Sequence, residues 1–191
     1  ADEMKQVVDA VGPARILPTN IALNDEQLET FMDDHSHDID EALSQAAIDY
    51  LSSVPVNTVC KFLRSNGVPD ACLESISSFE VEDFEGIEDL SVISNTRIEE
   101  AGILFMCEFE LRTVIWTVSV PTSMYVANIT SFDAHFMNAE AGADGQTTME
   151  AIQRICFEAK LIFDRASDDF EETRITMTGV ITPRGCRSQY T

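Results

Sequence analysis

Long apolar runs are missing from this sequence. The longest apolar-rich stretch, Ile103 to Val120, is interrupted by residues such as Glu108 and Arg112, whereas a membrane-spanning helix needs roughly 20 apolar residues. The first residues also lack the basic and apolar regions that are typical of a signal peptide. We therefore expect a protein that has no membrane partner.

Cysteine pairs with the spacing of a metal or redox motif are also missing. The five cysteines form no C-x-x-C pair, and their odd number argues against a complete disulfide framework. Cys107 and Cys156 lie inside apolar, strand-like runs, where a free thiol packs as a small hydrophobic group. These features predict a reducing, cytoplasmic location.

Basic residues are scarce, and acidic residues are abundant. The chain has 12 Lys+Arg against 34 Asp+Glu, which gives a formal net charge of −22. Residues 1–110 hold 24 acids and 5 bases, a net −19, whereas residues 111–191 hold 10 acids and 7 bases, a net −3. Direct binding of nucleic acid is disfavoured, because no basic cluster is present to neutralise phosphates. A regional excess of acid instead favours attraction to a basic protein.

Strong catalytic motifs are absent as well. The sequence contains no P-loop, no G-x-G-x-x-G, no H-E-x-x-H, no G-x-S-x-G and no EF-hand pattern. It therefore predicts no cofactor and favours a protein without catalysis of its own. Two weaker arrangements, described below, leave metal chemistry as an alternative.

The apolar spacing is helical in the first part of the chain. Asn24, with Gln27 three residues later, is typical of a capped helix start. Apolar residues at three- and four-residue steps then predict a helix from about Asp25 to Ser52, with a break near Ser36 as an alternative. Two short helices are expected to follow. The acidic residues 79–90 are expected to form a loop or an extended connection.

The apolar spacing becomes strand-like from about residue 90. Alternation predicts strands over residues 107–120 and 155–163, and the apolar parity switches near Thr113, where a bulge or a turn would account for the change. A further strand is expected over Tyr125–Phe136. This order predicts an α+β fold, with N-terminal helices packed on one face of a C-terminal, mainly antiparallel β-sheet. The expected segments are an irregular N-terminal segment (1–23), an acidic helical subdomain (24–90), an antiparallel β-sheet subdomain (91–183) and a C-terminal tail (184–191).

The tripeptide Glu158-Ala159-Lys160 is the best enzymatic candidate. On a strand, Glu158 and Lys160 point to the same face. The pattern resembles the E-x-K element of the PD-(D/E)xK nucleases. In that family an upstream Asp and the Glu hold Mg²⁺ while the Lys assists the attacking water, so the resemblance implies that Asp133 or Asp144 supplies the upstream carboxylate. The alternative is a row of cross-strand ion pairs on the wet face of the sheet.

A second metal-binding hypothesis rests on the acidic and histidine-containing run from Asp33 to Asp38. Imidazole and carboxylate groups together suit Zn²⁺ or another divalent ion. On a continuous helix, Asp33 and His37 share a face. The alternative for these residues is a solvated acidic helix face.

Carboxylates concentrate in two segments of the acidic half. Residues 25–41 contain eight acids and no base, and residues 70–110 contain twelve acids and one base, Arg97. Rows of carboxylates on a rigid scaffold imitate a phosphate backbone or dock on a basic protein, by charge steering followed by apolar anchoring. The alternative is a surface whose charge serves solubility alone. The expected partner-binding residues are Asp33, Asp34, Asp38, Asp40, Glu41, Glu80, Glu82, Asp83, Glu85, Glu88 and Asp89.

We therefore predict a non-catalytic acidic interaction protein. Its partner is expected to be a basic protein, such as one that handles nucleic acid. The chain would act on this partner as an inhibitor, an antitoxin-like module or a nucleic-acid mimic. A metal-dependent nuclease or hydrolase that uses the Glu-x-Lys element is the first alternative. A structural or assembly subunit, with a homo-oligomer formed at a sheet edge, is the second.

Overall fold

Helices precede most of the strands in the computed structural model, which describes residues 21–181. The tail expected for residues 184–191 lies outside this range, as does the irregular segment expected for 1–23 except at its last three positions. The helices are α1 (Asp25–Asp34), α2 (Ser36–Ser53), α3 (Val56–Ser65), α4 (Asp70–Leu73), α5 (Thr122–Ala127) and α6 (Ile129–His135). The strands are β1 (Ser78–Asp83), β2 (Gly86–Ile98), β3 (Gly102–Pro121), β4 (Met137–Ala141), β5 (Gln146–Asp164) and β6 (Asp169–Ile181).

The six strands form one antiparallel sheet around two long central strands. β3 pairs with β5 from Gly102↔Asp164 to Pro121↔Gln146. β1 and β2 pair with different parts of β3, and β4 and β6 pair with different parts of β5. The predicted α+β class with a mainly antiparallel sheet is confirmed.

The N-terminal helices cover one face of the sheet, called here the inner face. Phe31 of α1 stacks on Phe105 of β3, with ring centroids 4.9 Å apart. Tyr50 of α2 meets Phe157 of β5 edge-on at 5.7 Å. Every second residue of β5 from Thr147 to Phe163 is buried, and the residues between them face the opposite, outer face. Burial of apolar surface on the inner face stabilises the fold by about 25 cal/mol per Å².

A β-bulge at Thr113 keeps the apolar residues of β3 on the inner face. The register with β5 shifts between Leu111 and Val114, and both of these residues are fully buried. Thr113 itself has a φ of 48°, a left-handed conformation that is unfavourable for a β-branched residue. The bulge or turn expected from the change in apolar parity is confirmed as a bulge.

Replacing Thr113 by Gly should raise the free energy of unfolding by about 1 kcal/mol, because glycine adopts a positive φ without steric strain. Thr117→Gly is the matched control. Each threonine donates a hydroxyl hydrogen bond to a glutamate, to Glu85 at 3.0 Å and to Glu82 at 2.6 Å, but Thr117 has no positive φ. Thr117→Gly should lower the free energy of unfolding by roughly 1 kcal/mol. If urea denaturation showed the same decrease in the free energy of unfolding for both variants, the strain at Thr113 would be contradicted.

The strand expected over Tyr125–Phe136 is wrong, because this stretch forms α5 and α6. Pro121 ends β3 and is the N-cap of α5. The ring of Phe132 contacts the rings of Tyr125 and Phe136, with centroids 5.8 and 6.3 Å apart. Spacings of seven and four residues belong to a helical face, and they outweigh the strand preference of the aromatic and β-branched residue types.

Residues 79–90, expected to form a loop or an extended connection, instead form most of β1 and the start of β2. Phe79 and Val81 lie opposite Val118 and Trp116 of β3, so the apolar residues of β1 face inward and its acids face outward. The change from helix to strand therefore falls at Ser78, not at residue 90.

The first helix begins as predicted and breaks near its middle. Asn24 Oδ1 accepts a hydrogen bond from the Gln27 backbone N–H at 2.9 Å, and Gln27 Oε1 accepts one from the Asn24 N–H at 3.0 Å. The capping box is confirmed. The helix is interrupted at His35, whose ring packs against Phe163 at 4.8 Å. The break considered near Ser36 is confirmed.

Asn95 of β2 holds the chain that leads into α1. Its Oδ1 accepts hydrogen bonds from the backbone N–H groups of Ala22 at 3.1 Å and Leu23 at 2.8 Å. Its Nδ2 donates to the Leu23 carbonyl at 3.2 Å. Because Asn95 is buried, these three hydrogen bonds fix the start of the helical layer on the sheet.

Asn95→Ala should lower the free energy of unfolding by about 2 kcal/mol, because backbone groups around Leu23 lose their partners on removal of the amide. The neighbouring Ser94→Ala is the control and should change stability by less than about 0.5 kcal/mol. Urea denaturation measures both. Equal effects of the two substitutions would show that the amide does not hold this segment.

Candidate binding surface

Five of the expected partner-binding carboxylates surround the break between α1 and α2, and all five are exposed. They are called here the helical set. Two end α1 and three lie in the first turns of α2. The helical set consists of Asp33, Asp34, Asp38, Asp40 and Glu41.

The local sequence explains the exposure of the helical set. Ile39 and Leu43 of α2 point into the core and are at most 1% exposed, so the acids around them fall on the solvent side of the helix. The Asp38 carboxylate lies 3.8 Å from His35 Nδ1, which is a cationic partner only when the imidazole is protonated. The other four carboxylates have no cationic group within 4 Å among residues 21–181.

The other six expected carboxylates follow the edge of the sheet along β1, β2 and the short connection between them, which contains Glu85, and they are called here the strand set. Five are exposed and Glu88 is half-buried. Glu88 forms an ion pair with Arg112 at 2.5 Å, the one ion pair of the set within the described chain. The strand set consists of Glu80, Glu82, Asp83, Glu85, Glu88 and Asp89.

The two sets do not form one continuous row. The helical set lies on the layer that covers the inner face. Glu80 lies opposite Thr117, and Glu82 accepts a hydrogen bond from the Thr117 hydroxyl. Trp116 and Val118, the residues on either side of Thr117, point into the core. Because successive side chains of a strand alternate between faces, Thr117 and these two glutamates face the outer side of the sheet. The structure therefore presents two acidic surfaces.

A groove of about 550 Å³ lies between the C-terminal half of α2 and β1. Ile48, Leu51 and Ser52 line it from the helix, and residues 79–84 line it from the strand. Ile48 is 44% exposed. The groove could not be foreseen from the sequence, because α2 and β1 meet only in the folded chain. The one local signal is the alternation of apolar and acidic residues over 79–82.

Glu158 and Lys160 lie exposed on the outer face of β5. Glu108 lies opposite Glu158 on one side, and Arg174 lies opposite Lys160 on the other. Like charges therefore face each other across the strands. The cross-strand ion pairs considered from the sequence are absent at these two residues within the described chain.

The structure places both carboxylates proposed to complete a metal site with Glu158 in other elements. Asp144 lies in the β4–β5 turn, where its Oδ1 accepts a hydrogen bond from the Gln146 N–H at 3.0 Å. The strand from Gln146 to Glu158 spans roughly 40 Å at a rise of about 3.3 Å per residue, too far for one metal ion. Asp133 lies on α6, where its Oδ1 accepts a hydrogen bond from the Tyr125 hydroxyl at 2.9 Å.

Asp33 and His37, the other metal candidates, lie on different helices. The break at His35 removes the continuous helix on which they would share a face. Both side chains are exposed. Within residues 21–181, no group of three or more His, Cys, Asp or Glu side chains is arranged to hold a metal ion.

Glu110, Arg154 and Cys156 form a polar cluster on the outer face that was not predicted. Arg154 Nη1 lies 3.2 Å from Glu110 Oε2, and the Cys156 thiol donates to Glu110 Oε1 at 3.6 Å. Burial, and next the Glu110 carboxylate, raise the pKa of Cys156 to about 11. A thiol that stays protonated at neutral pH is a poor nucleophile, so this cluster does not favour cysteine-based catalysis.

Alkylation of Cys156 by iodoacetamide should accelerate with pH up to about 11, because only the thiolate reacts. Glu110→Gln removes a negative neighbour and should shift this rise to lower pH. Cys107, whose pKa burial raises to about 12, is the internal control that the substitution should leave unchanged. Site-resolved mass spectrometry measures both rates. If the alkylation rate of wild-type Cys156 instead rose with a midpoint near the ordinary thiol pKa of about 8.5, this prediction would be contradicted.

Comparison with known proteins assigns no family. No protein-family model, no curated protein and no solved structure matches this chain. None of the helices within residues 21–181 is long and apolar enough to cross a membrane.

Proposed function

We propose that this chain is a non-catalytic acidic interaction protein that binds a basic protein, such as one that handles nucleic acid, as an inhibitor, an antitoxin-like module or a nucleic-acid mimic. The observation that carries the proposal is the surplus of exposed carboxylates without a cationic partner. Residues 21–181 hold 31 acids and 8 Lys+Arg, a net −23. Four of these bases form ion pairs with carboxylates of the described chain.

Unpaired carboxylates on rigid elements favour association with a cationic surface. Charges of one sign along α1–α2 and β1–β2 add to a local negative potential, which extends over about 8 Å at physiological ionic strength. This potential raises the association rate and orients the encounter. Apolar groups beside the charges then supply the contacts that slow dissociation.

The proposal includes a reducing, intracellular setting. The four cysteines among residues 21–181 are free thiols, which is the state that such a compartment maintains. The proposed partner is a protein and not nucleic acid itself, because a net charge of −22 repels phosphates.

Removing three charges from either acidic set should weaken capture of the basic partner at low salt. We expect a loss of about tenfold, because three exposed ion pairs contribute roughly 0.2–1 kcal/mol each. Pull-down from source-cell lysate with quantitative mass spectrometry measures retention at low and high salt. The variants, each with three charges removed, are Asp33→Asn/Asp34→Asn/Asp40→Asn (helical set), Glu80→Gln/Glu82→Gln/Asp83→Asn (strand set) and Glu100→Gln/Glu140→Gln/Glu171→Gln (matched control at other exposed positions).

The wild-type chain should retain a basic protein at low salt and release it at high salt, with no effect of Mg²⁺. Loss of retention in the helical-set or strand-set variant, with retention in the control, would support the proposal. Equal retention by all three variants would contradict it. A Mg²⁺-dependent nuclease activity that Glu158→Ala removes would favour the enzymatic alternative, and a stable homo-oligomer without a basic partner would favour the assembly subunit.

A further inference from the structure

We propose that the groove between α2 and β1 binds an extended, basic segment of the partner protein, which adds as a strand to the free edge of β1. The proposal rests on the proposed function, because it names the site and the chemistry of the same partner. The groove volume of about 550 Å³ lies in the range that is typical of ligand-binding clefts.

The free edge of β1 supplies the backbone hydrogen bonds. One edge of β1 pairs with residues 115–119 of β3, and no strand of the described chain pairs with the other edge. Residues 79–84 line the groove, so this free edge borders it. An exposed strand edge is a template for a further strand.

The two faces of β1 specify an alternating sequence for the added strand. Side chains of an added strand that point inward meet Phe79, Val81 and the exposed Ile48 of α2. Side chains that point outward lie beside Glu80 and Glu82. Because successive residues of a strand point to opposite faces, the segment that fits alternates apolar residues with Lys or Arg.

Charge selects a basic segment over a second copy of β1. Glu80, Glu82 and Asp83 have no cationic group within 4 Å among residues 21–181. Pairing two copies of β1 would place these acids opposite one another, which is destabilising, whereas opposite charges across strands are stabilising. The acids also make the site sensitive to salt, as the proposed function requires.

Trp116 supplies a reporter directly beneath the groove. It is the only tryptophan of the chain and is fully buried. The ring of Phe79 meets it edge-on at 4.5 Å, and Val81 lies opposite it on β1. Both of these neighbours line the groove, so occupation of the groove should change the emission of Trp116.

The test is a fluorescence titration of the full chain with a blocked peptide of about eight residues that alternates Val and Lys. We expect a saturable change in Trp116 emission that high salt reverses. A peptide that alternates Ser and Lys keeps the charge but lacks the apolar side chains. A backbone N-methylated Val–Lys peptide lacks the backbone N–H donors that pair with a strand edge. Both should bind at least about tenfold more weakly.

Two substitutions locate the peptide on the chain. Ile48→Ser should weaken binding of the Val–Lys peptide by about tenfold. Ile129→Ser is the matched control, because Ile129 is also helical and is 45% exposed against 44% for Ile48, and it should change nothing. The strand-set variant should weaken binding, and the Glu100/Glu140/Glu171 control should not. Urea denaturation followed by Trp116 emission verifies that each variant is folded.

The outcomes separate this proposal from the proposed function. Equal peptide affinity for wild type and Ile48→Ser, or equal affinity of the N-methylated peptide, would overturn the groove as the site. Partner capture that depends on the helical set alone would also overturn it, while leaving the proposed function intact. If no salt-released basic protein is captured at all, the proposed function fails whether or not the peptide binds, and with it the assignment of the groove to that partner.

Discussion

The pairing of β3 with β5 along their whole length is the constraint on which the rest of the structure depends. Four shorter strands attach to this pair, two on each side, and the N-terminal helices pack on its inner face. The bulge at Thr113 lets both halves of β3 share that face. Without the extra residue, every side chain beyond it would turn over, and Trp116 and Val118 would point away from the helices.

Bulges at residues with a positive φ also occur at the edges of the sheet. The register of β2 shifts at Asp89 and that of β4 at Asn138, and each of these residues, like Thr113, has a positive φ. Asp and Asn tolerate this conformation better than other residues that carry a side chain. Bulges increase the local twist and bend of a strand. The positive φ at Thr113 thus accompanies the bulge that keeps the apolar residues of β3 inward, and the one at Asp89 accompanies the bulge of β2.

Elements with a strict period and a clear end signal could be predicted from the sequence. The capped start at Asn24 and the change of apolar parity near Thr113 follow from neighbouring residues alone, whereas the folded chain decides that the change is a bulge and not a turn. Tyr125–Phe136 could not be assigned in this way, because strand-favouring residue types stand at helical spacing and tertiary packing decides between them. β1 was missed because it is short and acidic. Its alternation of apolar and acidic residues covers only four positions, and the pairing partner that defines the strand, Trp116, lies far along the chain.

The acidic residues could be predicted to be exposed, but the sequence could not show which faces they share. The separation of the two sets follows from the break at His35 and from the pairing of β1 with β3, and both depend on the folded chain. The position of the acids on β1 has a further consequence. An open strand edge invites pairing with any other strand, and carboxylates beside it oppose pairing with another copy of this acidic chain. An edge protected in this way remains open to a strand that carries positive charge. Under the proposed function, the residues that oppose pairing with another copy are therefore the ones that select a basic partner.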